Sequence, residues 1–209
     1  MKLERHILTA LDAFDRGDKE DSLLHATIAI EGTAKKLFQK GGKKCYKECI
    51  RQYWWLVERF IGGGLNLEDT RFTYLKIDDG YGEFIQDPDF ADIIYHIFRC
   101  SHAHAEPVPL HYELLSSTDG KYPLLLDRKN NSVRMPDTVI FALLGISVFC
   151  KANADIVTNS EHFLSWGNRD IGVKVFKIKD SWGKEDEIKK FFSDKPQTRV
   201  KIDFKNWKQ

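Results

Sequence analysis

Asp87–Pro107, DPDFADIIYHIFRCSHAHAEP, is the stretch on which the reading of the whole chain turns. It reads as one helix. Asp87 supplies an N-cap, and Pro88 takes the first helical position, where a missing N–H costs nothing. Phe90, Ile93, Ile94 and Ile97 recur at helical spacing and face a core. Pro107 and Pro109 stop the helix soon after His104. Its polar end sets it apart: Arg99, His102 and His104 fall within its last turns.

The segments before this helix are also helical. Leu3–Arg16 carries Leu3, Ile7, Leu11 and Phe14 on one face and ends at Gly17. Asp18 caps a longer helix reaching about Lys40, with Leu24, Thr27, Ile28, Ala34 and Phe38 as its buried side and Gly41-Gly42 as its end. So short a link makes the two helices antiparallel neighbours. Glu31 lies in that apolar stripe. It either pairs with Lys35 one turn on, worth ~0.3–0.5 kcal/mol, or is a carboxylate aimed at an internal site. Lys43–Ile61 reads as a third helix with Tyr46, Cys49, Ile50, Tyr53, Val57 and Phe60 inward. Gly62–Gly64 opens an irregular connection anchored by Phe72, Tyr74 and Leu75.

Beyond the central helix the pattern changes. Leu110–Ser117 alternates like a strand, Asp119-Gly120 is a hairpin turn, and Tyr122–Asp127 returns as a second strand. Asn130-Asn131 turns again before a short strand at Val133–Met135. Pro136 starts a helix to about Ala154 whose Val139–Cys150 portion is apolar nearly all round, as befits the centre of a bundle or a subunit interface. A short helix at Ser160–Trp166, a strand at Val173–Lys179, a helix at Lys184–Phe192 and a strand at Arg199–Lys205 complete the chain.

The 209 residues suit one sizeable domain with a small appendage, and 42% hydrophobic and 12% aromatic content suffices for a packed core. Net charge is +1, but it is uneven: residues 167–209 hold 12 Lys and Arg against 7 Asp and Glu, leaving 20 against 24 in residues 1–166. A basic tail on a mildly acidic body hints at a polyanion. Lys174, Lys177, Lys179, Lys201 and Lys205, with Trp182 and Trp207, form a candidate RNA contact through phosphate pairing and base stacking. The bland alternative is a solvated basic face. Cys45, Cys49, Cys100 and Cys150 are scattered without a CxxC pair. With no signal peptide and no apolar run approaching the ~20 residues of a membrane span, they read as reduced thiols of a soluble cytoplasmic protein.

Arginine, four residues, then histidine (Arg99–His104) at the end of a helix in an otherwise helical protein resembles the Rx4–6H motif of the HEPN superfamily. IAIEGTAKKLF, residues 28–38, is similar to the glutamate-bearing second helix of many such proteins. The resemblance covers residues 3–156, with the strands at 110–135 as an insertion. It implies a mainly α, HEPN-like helical bundle over residues 1–166, with an inserted β-hairpin, followed by a small basic α/β appendage over 167–209. It also implies metal-independent RNA cleavage without a cofactor, at the seam of a homodimer, with an antitoxin or defence-system protein as a further partner.

In that setting Arg99 forks onto phosphate oxygens and His104 moves a proton near neutral pH. Glu31 and His102 complete the candidate catalytic set, and Lys201, Lys205 and Trp207 the substrate-binding set. On a straight α-helix Arg99 and His104 differ by about 140° in azimuth, so His102 competes with His104 for the role. Cys100 stands where the family commonly has a polar residue. Two other readings use the same residues. His102, His104 and Glu106, with His96 or His111, offer zinc-type ligands. An arginine and histidines at a helix end also simply cap its carbonyls, giving a catalytically inactive dimerisation or nucleic-acid-binding module.

Overall fold

The structure, a computed structural model, describes residues 2–61, 64–78, 81–100, 112–116, 125–127, 132–168, 172–195, 197 and 199–201. It is mainly α. Helices α1 (Leu3–Asp15) and α2 (Lys19–Phe38) form an antiparallel pair. The join is a Schellman turn. Gly17 sits at φ +81°, its N–H reaches Phe14 O at 2.9 Å, and the Asp18 N–H reaches Ala13 O at 2.9 Å. Asp18 then caps α2 by accepting from the Asp21 N–H at 3.1 Å. The antiparallel register follows from three contacts. Ser22 donates to Ala10 O, His6 meets His25, and Leu3 lies over Gly32, 3.3 Å from where a Cβ would stand.

The buried side of α2 is Leu23, Ala26, Ile30, Thr33 and Ala34, while Leu24 and Ile28 are only half-buried. Of the expected stripe Thr27 and Ala34 are buried, so it was only partly displaced from the true one, and Glu31 is exposed. Helix α2 also ends earlier than expected, at Gln39 in the left-handed region (φ 55°). The expected Lys43–Ile61 helix is two, α3 (Lys43–Arg51) and α4 (Trp54–Ile61), hinged at Gln52-Tyr53. Its inward residues are buried as anticipated, and so are the free thiols Cys45 and Cys49.

Residues 64–78 wrap the bundle irregularly, held by buried Leu67, Phe72, Leu75 and Ile77. Helix α5 (Phe90–Ile93) then starts at Asp89, not Asp87, which sits at φ 48° outside the helix. The reason is a reciprocal capping box. Asp89 Oδ1 accepts from the Asp92 N–H and Asp92 Oδ2 from the Asp89 N–H, each at 3.0 Å. Ile94–Arg99 continues as a π-helix.

Strands β1 (Tyr112–Leu115), β2 (Leu125–Asp127) and β3 (Ser132–Pro136) form a sheet in the order β1-β3-β2. The expected β1–β2 hairpin does not form. β1 pairs parallel with β3, Tyr112 opposite Val133, and β2 pairs antiparallel with β3, Leu126 opposite Val133. The expected turns at 119–120 and 130–131 lie outside the described residues. Helix α6 (Thr138–Phe149) follows and is buried on nearly every side, the centre of the bundle. It stops at Cys150, short of Ala154, and a 3-10 turn (Lys151–Asn153) follows. Asn153 donates to Thr33 Oγ1 at 3.0 Å and Ser147 O at 2.7 Å, tying this corner to α2.

Ser160–Trp166 is not helical. β4 (Phe163–Asn168) pairs antiparallel with β5 (Gly172–Lys177), and α7 (Glu185–Ser193) follows. The expected division at 166/167 falls inside β4. Leu164, Phe176, Ile178, Trp182, Ile188 and Phe192 join the same buried cluster as the helices. Phe149 of α6 meets Phe176 edge-on at 5.3 Å. Near the C-terminus, Val200 makes a parallel bridge to Leu65, and Arg199 forks onto buried Glu58 at 2.8 and 2.9 Å. Among the described residues no helix is long and apolar enough to cross a membrane.

Candidate functional site

Arg99 is the last residue of the π-helix, and the helix that carries it is pinned at its start. Asp92 accepts Lys47 Nζ at 2.6 Å, and Asp89 accepts Arg51 Nε at 2.7 Å, both donors coming from α3. Burial alone would raise the Asp92 carboxyl; the Lys47 ammonium and the Asp89 backbone outweigh it and hold it below the ordinary carboxylate range. Phe90, Ile93, Ile94 and Ile97 fill the core on the inner side as their spacing indicated, joined by Phe98. The start of the segment is therefore fixed by an ionic clamp and its flank by packing.

Arg99 is half-buried where the π-helix packs against α2. Arg99 Nη2 donates to Glu31 Oε2 at 2.8 Å, and the guanidinium lies over the Tyr95 ring, 5.5 Å from its centre. Tyr95 packs edge-on against Tyr46 of α3 at 5.1 Å. Burial works against the arginine's charge, but the bond to Glu31 outweighs it and raises the affinity of Arg99 for its proton. Glu31 thus takes neither expected form. Its partner is Arg99, on another element, rather than Lys35, and its side chain is 48% exposed against 24% for Arg99. Among the described residues Glu31 engages one N–H of the arginine's five.

Tyr46 is the site residue that the sequence did not single out. Its phenol is fully buried, has no hydrogen-bond partner among the described residues, and feels Arg99, Cys49, Glu31 and Cys100 electrostatically. Burial pushes its proton affinity well up, so it stays a neutral wall under the arginine. The only hint in the sequence was an apolar-face position on α3.

The remaining candidates divide. His102 and His104 lie outside the described residues, as do Lys205 and Trp207. The offset of about 140° between Arg99 and His104 concerns residues 99–104, of which 101–104 lie outside the described residues. Lys201 is exposed beside the Leu65–Val200 bridge. Trp182 is 7% exposed and belongs to the core, so it is no stacking platform. Lys179 pairs with Glu161 at 2.6 Å, and Lys174 lies over the Phe176 and Phe191 rings. The tail's basic face is thus partly committed to its own fold.

The sequence matches the model of the family described as Rv1289 over residues 2–208. Relatives include the "Uncharacterized protein Rv1289" of Mycobacterium tuberculosis and the "Uncharacterized protein Mb1320" of Mycobacterium bovis. Each is 25% identical over 199 residues, covering 95% of this chain and 91% of the relative. No solved structure matches.

Proposed function

We propose that this chain, which belongs to the Rv1289 family, is a metal-independent RNA endonuclease built on a HEPN-like helical bundle. The observation that carries the reading is the placement of Arg99. The arginine of the Arg99–His104 motif is the last residue of the π-helix, partly exposed, and is held by the glutamate of the second helix. In the reaction, the RNA 2′-oxygen bonds to the adjacent phosphorus as its proton passes to a base, and the 5′-oxygen leaves with a proton from an acid. A 2′,3′-cyclic phosphate and a 5′-hydroxyl result. Arg99 offsets the charge building on the phosphate oxygens. His104, or His102, moves the proton near neutral pH. The motif helices of two copies meet to complete the site, and RNA is the substrate.

Purified protein is expected to cleave RNA in the presence of EDTA, and Arg99→Ala or His104→Ala to abolish cleavage. Cleavage undiminished in both variants sinks the assignment, and strict metal dependence transfers it to the histidine-rich segment as a metal site. A second reading is favoured by the same contact. Glu31 engages the guanidinium, as expected of a catalytically inactive module that uses this segment for dimerisation or RNA binding. RNA binding without cleavage, weakened by Arg99→Ala, selects it.

A further inference from the structure

A second site lies along α3 and α4 and shares none of Arg99, Glu31, Tyr46 and Tyr95. An open cleft of about 260 Å³ is walled by Trp54 and Trp55, with Arg51, Arg59 and Arg199, the carboxylates Glu58 and Glu68, and Gln52 and Gln197 around it. The three arginines are not equivalent. Arg51 is neutralised by Asp89 and Asp92, and Arg199 by Glu58 and Glu68. Arg59 has no carboxylate in contact among the described residues. It donates to the carbonyls of Lys195 and Phe192 and lies over the Phe192 ring at 5.3 Å. Two of its five N–H groups are spent on those carbonyls, leaving three. Its charge is also partly desolvated, which lowers its proton affinity, so an approaching anion meets a cation that water satisfies poorly.

The walls supply the other half of the recognition. The half-buried Trp55 indole offers apolar, π-bearing surface to a flat ring, with Trp54 packed into the core behind it, and the buried Trp55 Nε1 has no hydrogen-bond partner among the described residues. The cleft is just below the ~300–1,000 Å³ of sites for drug-sized ligands, which fits one nucleotide unit and is too small for a dinucleotide cofactor. We propose that this cleft binds a small anion carrying a flat aromatic ring, of the nucleoside monophosphate class, with the phosphate on Arg59 and the ring against the tryptophan wall. The site is independent of the RNA-cleavage reading.

The test is calorimetric titration of the whole protein with AMP, with inorganic phosphate and adenosine as half-ligands. AMP is expected to bind saturably, and each half-ligand at least tenfold more weakly. Gln52 is exposed, and only its backbone N–H is tied down, so its charge can be changed without touching the core. Gln52→Glu is expected to weaken AMP about threefold and Gln52→Lys to tighten it about threefold, from one charge several ångströms from the phosphate in a screened setting. Tryptophan quenching by AMP should shrink in Trp55→Phe. A 5′-phosphorylated triadenylate separates the sources: binding as tight as AMP means the end of an RNA chain, and weaker binding means a free nucleotide. No saturable AMP binding up to 10 mM, or equal affinities in Gln52→Glu and Gln52→Lys, overturns the proposal.

Discussion

Replacing Asp92 by asparagine tests how the Arg99 helix is held. The Asp92 side chain is 6% exposed, accepts Lys47 Nζ at 2.6 Å, and lies 3.5 Å from Arg51 Nη2. Its second oxygen closes the capping box on the Asp89 N–H. Removing one partner of a buried ion pair costs about 3–5 kcal/mol, because the other charge is left buried and unpaired. Two features reduce this. Asparagine keeps one acceptor, and Lys47 and Arg51 are 15% and 32% exposed, so water reaches both. About 3 kcal/mol is the resulting expectation, a fall in Tm of about 6–12 °C for a chain of this size.

The dependence on pH supplies a second reading of the same carboxylate. The folded state holds Asp92 below its unfolded value, so the unfolded chain binds more protons. Its contribution is present above the ordinary carboxylate pKa of ~3.9 and is lost as pH falls through the lower folded value. Asp92→Asn should therefore lose less stability than wild type on acidification through that window. The assay is thermal unfolding by circular dichroism at neutral and acid pH, in a cycle with Lys47→Met. Coupling between Lys47 and Asp92 above about 1 kcal/mol is expected. A Tm shift of Asp92→Asn under 1 °C, or strictly additive effects, refutes the clamp.

Three further outcomes are expected. Glu31→Gln should cost under about 1 kcal/mol, since the pair is well exposed, yet lower RNA cleavage more than tenfold; a large Tm loss would instead make Glu31 scaffold. Gly183→Ala should cost about 2–4 kcal/mol in denaturant melts, because Gly183 has φ +69° and its Cβ would stand 2.4 Å from Ala154 Cβ; wild-type stability would show the Gly183 turn to be misplaced. In native protein one thiol, the half-buried Cys100, should react with a disulfide reagent, while buried Cys45, Cys49 and Cys150 react only on unfolding. Mass mapping of the labelled peptide checks this, and a fast reaction at any of the other three contradicts the packing.

Local signals were legible where local chemistry decides. Gly17-Asp18 marked the α1–α2 turn, and the apolar run from Val139 marked the central helix. The capping box was also written locally, as Asp89 and Asp92 three apart, but the Asp87-Pro88 pair drew the N-cap two residues upstream. The short helix expected at Ser160–Trp166 is instead a strand entry. In the fold Leu164 and Phe176 are a cross-strand pair facing the core, and that pairing depends on β5. The β1–β3 pairing was out of reach for the same reason: parallel strands are joined across a long crossover, which no turn signal encodes. The partly displaced face of α2 has another cause. Helix α2 packs against α1, α3 and α6, so its buried arc is wider than one stripe and a single-face count misplaces its centre.

The π-helix and the Arg99–Glu31 contact had no signal in spacing, and together they explain why Arg99 sits where it does. Glu31 and Arg99 are 68 residues apart, and only the fold brings α2 beside the end of α5. An α-helix from Asp89 onward would carry its register to Arg99 unchanged. Widening the turn over Ile94–Arg99 re-aims the last residues relative to the buried face, and such segments recur at functional sites. The widening is energetically unrewarding by itself, so the surroundings must hold it. Asp89 and Asp92 anchor one end on α3, while Tyr95, lying on Tyr46, supports the guanidinium at the other. If the clamp is what maintains the widened turn, Asp92→Asn should disturb Arg99 some seven residues away. Arg99→Ala should leave the clamp intact, with Tm within about 3 °C of wild type. That one-way dependence separates an arginine presented by the fold from one that holds the fold together.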